Sequence, residues 1–105
     1  MIQDQIRTLL DAPPTGDDAP SLDALEHTLT DGYASALALE AERRRLERQI
    51  RDVAARLGDE VTDEDASELA RLGQRLSSAD EDLGRLRALL VSLRGRADEV
   101  RAAAA

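Results

Sequence analysis

The apolar residues of this chain fall into three stretches with helical spacing. Ile2, Ile6, Leu9 and Leu10 stand at i, i+4, i+7 and i+8, on one face of a short amphipathic helix over residues 1–11. A helix of that length is marginal in water, so the pattern implies a surface for it to dock on. Residues 12–20, Ala-Pro-Pro-Thr-Gly-Asp-Asp-Ala-Pro, cannot continue it and read as a polar tether. Two much longer periodic stretches follow, over 21–57 and 62–102, with residues 58–61 as the turn between them. The fold class expected is all-α: an antiparallel two-helix coiled-coil hairpin over residues 21–105, preceded by the tethered helix.

Local signals mark the helix ends. Ser21 is a good N-cap with Asp23 in the first turn, where the helix dipole favours an anion. Thr62 and Asp65 stand at capping-box spacing at the head of the second long helix. Gly58 follows Leu57 as a glycine suited to a left-handed helix end.

Heptads run through both long stretches without a stutter, the pattern of a left-handed supercoil. The first carries a positions Leu22, Leu29, Ala36, Arg43, Ile50 and Leu57, and d positions Leu25, Gly32, Leu39, Leu46 and Val53. The second carries a positions Leu69, Leu76, Leu83, Leu90 and Ala97, and d positions Leu72, Ala79, Leu86, Leu93 and Val100. A fold at residues 58–61 pairs Leu22 with Val100, Val53 with Leu69, and an a with a d in every layer between. In that register Gly32 meets Leu90, Ala36 meets Leu86, and the one charged seam residue, Arg43, meets Ala79. The stem of Arg43 can run past the small methyl so that its head reaches water. On the flanks Glu26 approaches Arg94, Arg56 approaches Glu68, and Glu42 falls near Asp82.

Composition adds exclusions. With one Tyr, no Phe and no Trp, an aromatic-centred core is not expected; with no Cys there is neither disulfide framework nor thiol chemistry. No apolar run approaches the roughly 20 residues of a membrane span, and the N-terminus lacks the basic and apolar regions of a signal peptide, so a cytoplasmic protein is expected. A net charge of -8 disfavours nucleic acid and anionic membrane as partners and suits a basic protein surface.

Motifs for chemistry are scarce. Asp23, His27 and Asp31 form one stripe, but His27 is an outward f position and no second His exists, so the stripe reads as a solvated face. The glycines are isolated and make no phosphate-binding loop. Asp59, Glu60, Asp63, Glu64 and Asp65 lack the 12-residue spacing of a calcium loop and read as capping and solubility. The expectation is a chain that is not an enzyme and carries no cofactor or metal.

Apolar residues outside the seam are the candidates for partner binding. Tyr33 (e), Leu37 (b) and Val91 (b) share one flank far from the turn, with the small Gly84 and Ala88 close by, and Leu89 (g) lies on the opposite flank. Ile2, Ile6, Leu9 and Leu10 form the other candidate surface. Three occupants of the Tyr33 flank stay open at this point: residues 1–11 folding back over it, a second hairpin completing a four-helix bundle, or a different protein engaged as a helix in a groove.

One stretch carries a family resemblance. All 14 basic residues are Arg, the mark of a GC-rich, actinobacterial coding bias. Asp80, Gly84, Arg87, Val91 and Gly95 fall where a five-residue ligand motif (Glu, Ser, Arg, Gln, Asp) lies in the actinobacterial coiled-coil anti-sigma factors armed by cyclic-di-GMP. Residues 80–101 resemble that family; Arg87 is the one identity and Asp80 a conservative change, so the ligand motif is not retained. What the resemblance implies is a regulator that sequesters a sigma factor without the nucleotide. The residues themselves point first to a non-catalytic protein–protein interaction module, an adaptor or assembly protein.

Overall fold

A computed structural model of the chain describes residues 1–58 and 60–104. Among these residues the regular structure is all helical: α1 Ile2–Asp11, α2 Leu22–Arg56 and α3 Asp63–Ala104. The bounds lie within two residues of those expected.

Two of the expected caps are in place. The Ala24 N–H donates to Ser21 Oγ at 3.1 Å, and the Leu25 N–H donates to the Ser21 carbonyl. Thr62 opens α3 in the same way, its Oγ1 accepting from the Asp65 N–H at 3.1 Å. Each cap satisfies donors that the first turn would otherwise leave without partners. The close of α2 differs from expectation. Gly58 does not take a positive φ, and the last turn instead tightens through a bond from the Leu57 N–H to the Ala54 carbonyl at 3.3 Å. Of the expected turn and its acidic cluster, Asp59 lies outside the described residues.

The left-handed glycine is in the α1–α2 connector. Gly16 has φ +96°, and its carbonyl accepts from the Ala19 N–H at 3.2 Å, closing a tight turn after the two prolines. No atom lies within 4 Å of where a Gly16 side chain would begin, so only the backbone resists substitution. Gly16→Ala is expected to cost about 1 kcal/mol of connector order, the usual penalty of a left-handed L-residue. The check is hydrogen exchange across residues 2–11, where protection should fall by about five-fold.

The chain forms two compact units, Met1–Leu37 with Gly84–Ala105, and Ala38–Leu83. In the unit Ala38–Leu83 the core is Leu46, Val53, Leu72 and Ala79, with Ile50, Leu69 and Leu76 packed against it. All seven are a or d residues of the heptads. The Arg43 guanidinium is held rather than loose in water: Nη1 lies 3.4 Å from Asp80 Oδ1 and Nε 3.8 Å from Glu47 Oε1. Its Nε is buried without a hydrogen-bond partner, the cost of a cation at a seam position. Glu42 is not left facing Asp82 alone; its carboxylate accepts from Arg45 at 2.6 Å and Arg75 at 3.0 Å. Arg56 and Glu68 approach to 3.5 Å, as expected.

The unit Met1–Leu37 with Gly84–Ala105 contains all of α1 and segments of α2 and α3. Ile6, Leu25, Leu29, Ala36, Leu86, Leu90, Leu93 and Ala97 are buried in it. Glu26 pairs with Arg101 rather than Arg94, accepting from its Nη2 at 2.8 Å and Nε at 3.2 Å. That hydrogen bond from Arg101 to Glu26 is the main reason the guanidinium pKa is raised above its ordinary value.

Candidate interaction surface

Of the two candidate surfaces, one is used inside the chain. Ile6 is fully buried. Its Cδ1 lies 3.6 Å from where a Gly32 side chain would begin, and a Cβ there would collide with Leu90 Cδ2. Leu90 therefore fills the notch that Gly32 leaves in α2, and Ile6 closes it from the third side. A glycine in the middle of a helix costs roughly 1 kcal/mol relative to Ala, and here close packing of three helices offsets that cost.

The other end of α1 is held by a cation from α3. Arg96 donates through Nη2 to the Leu10 carbonyl at 3.2 Å and through Nη1 to the Ala12 carbonyl at 3.4 Å. The last turn of α1 has no basic residue of its own, so Arg96 supplies both the donors and the positive charge that a helix C-terminus favours. With Ile6 level with Leu90 and the carbonyls of residues 10 and 12 level with Arg96, α1 runs in the same direction as this part of α3.

The outcome for the eight candidate residues divides accordingly. Ile6 is not available to a partner while α1 is seated, and Ile2, Leu9 and Leu10 are half-buried. Leu89, one heptad before Arg96 on the same stripe of α3, is half-buried as well. Tyr33, Leu37 and Val91 stay open at 44%, 65% and 73% exposure. Residues 1–11 do fold back, then, but they leave the Tyr33 flank uncovered. Tyr33 follows Gly32 and Val91 follows Leu90, so two of the open residues adjoin the contact of Leu90 with Gly32. Tyr33 and Leu37 are one helical turn apart and share a face.

Sequence reasoning missed the seat of α1 and the role of Arg96. The one signal for the seat was a glycine at a d position, where close approach of another element is the common reason. Val61 and Met1 are also exposed, and neither was among the candidates.

His27 Nε2 lies 3.7 Å from Asp31 Oδ2 with both side chains well exposed. Among the described residues no group of three or more His, Asp or Glu side chains is placed to hold a metal ion. One open depression is lined largely by charged side chains, among them Asp52, Arg56, Glu68 and Arg71. Among the described residues no helix is long and apolar enough to cross a membrane.

No protein-family model, curated protein or solved structure matches the chain.

Proposed function

We propose that this chain is a non-catalytic protein–protein interaction module, an adaptor or assembly protein. In this reading α2 and α3 form an antiparallel two-helix coiled coil in the register that pairs Gly32 with Leu90. The α1 helix braces one flank, and the opposite flank, Tyr33 with Leu37 and Val91, docks on another protein. The observation that carries the proposal is the contrast in exposure. The chain buries Ile6 completely, yet leaves a tyrosine and two aliphatic side chains in water beside the same contact. Tyr with aliphatic neighbours is a composition enriched at the cores of protein interfaces.

Tyr33→Asp is the test. Capture of a partner from the native host, or self-association by light scattering, should fall at least ten-fold while circular dichroism stays unchanged. Loss of helix content would place Tyr33 in the core and remove the argument. A second reading is favoured by the charge of -8: a regulator that sequesters a sigma factor through its basic surfaces. It requires direct binding to a purified sigma factor that weakens as salt is raised. Salt-independent binding, or none, would discard it.

A further inference from the structure

The seat of α1 has the parts of a helix receptor. It has a notch for one branched aliphatic side chain beside the contact of Leu90 with Gly32, where Ile6 is fully buried. It also has a cation, Arg96, placed to cap the carbonyls at the helix C-terminus. These contacts depend on α1 itself and not on its covalent attachment, because the connector contributes one carbonyl, that of Ala12.

We infer that this seat accepts α1 from a second copy of the chain, so that α1 is exchangeable between molecules. The resident helix defines the occupant: ten residues with an isoleucine at the notch and free carbonyls at Arg96. The connector permits exchange. Residues 12–21 span up to roughly 35 Å when extended, and Pro13, Pro14 and Pro20 disfavour a helix that would fuse α1 to α2. Gly16 turns the connector through a left-handed backbone conformation.

Magnitudes say when exchange is visible. A flexible tether of this length gives an effective concentration on the order of 1 mM. The same contact between molecules competes with docking in cis only at protein concentrations near that value. In the native chain the tethered helix therefore wins at ordinary concentrations, and exchange emerges when cis docking is blocked. The inference is independent of the Tyr33 flank.

Complementation tests it. Two full-length variants are made in a Tyr33→Asp background, which removes association through that flank. The donor carries Arg96→Glu, which repels the carbonyls of residues 10 and 12 and weakens its own seat for α1 while leaving Gly32 and Leu90 in place. The acceptor carries Ile6→Asp, which keeps the notch but disables its own α1. Each alone should be monomeric by light scattering at several hundred μM. Their equimolar mixture should form a 1:1 complex, and hydrogen exchange should show the donor's residues 2–11 regaining protection. Two folded variants that show no added mass on mixing would overturn the inference. So would association of either variant with itself to the same degree.

Discussion

Leu46→Asp is expected to unfold the unit Ala38–Leu83, with loss of most of its helical circular dichroism at room temperature. Leu46 is 2% exposed and sits in the cluster with Val53, Leu72 and Ala79, with Leu76 packed against it. Removing a buried leucine side chain costs about 2–5 kcal/mol before any charge is considered. An aspartate there must also be ionised without a partner or be protonated, which adds several kcal/mol. Small domains have roughly 5–15 kcal/mol in total, and a narrow helical core sits near the lower end. Ala41→Asp, an exposed position on the same helix, should move the thermal midpoint little. Retention of helicity and cooperative melting by Leu46→Asp would show that Leu46 is not part of a packed seam.

Ile6→Asp should act locally. Ile6 is as deeply buried as any residue in the chain, so its replacement removes about 1.5–3 kcal/mol of apolar burial and puts a carboxylate against Leu90 and Gly32. A short helix on a tether has a cheaper response than unfolding everything, which is to leave its seat. Residues 2–11 should then lose hydrogen-exchange protection and become cleavable by protease, because α1 is too short to persist alone. Helix content should fall by no more than the 10 residues of α1. Full protection of α1 in this variant, or collapse of all three helices, would contradict the docked arrangement.

The contrast between these two variants follows from how each contact is encoded. Leu46 belongs to a repeat: its neighbours at three- and four-residue spacing make the same statement about which face is apolar, and one substitution contradicts all of them. For that reason the extents of α2 and α3, their caps at Ser21 and Thr62, and the buried a and d positions could be read from the chain alone. The flank residues Tyr33, Leu37 and Val91 could be marked as surplus by subtraction, since they are apolar and outside the repeat. Their openness could not be read, because a fold-back helix was an equally good cover for them.

Single contacts between distant elements were misread where repeats gave no guidance. Glu26 had two arginines one heptad apart within reach, and Arg101 rather than Arg94 takes it, with Asp98 bound to the same guanidinium. Glu42 falls near Asp82 in the heptad register, yet Arg75 of α3 is the side chain that reaches it across the seam. Gly58 resembled a left-handed helix end, yet it does not take a positive φ.

Periodicity and capping chemistry act over three or four residues, so the sequence by itself determined three helices, their polarity and their apolar faces. Where α1 lands was decided only in three dimensions. Its seat needs a missing side chain at Gly32, a leucine across from it at Leu90, and a guanidinium 84 to 86 residues away in the chain. No repeat announces that combination. It arises when a helix with one buried isoleucine meets the place where two others approach closely enough to hold it. The same choice leaves Tyr33, Leu37 and Val91 exposed.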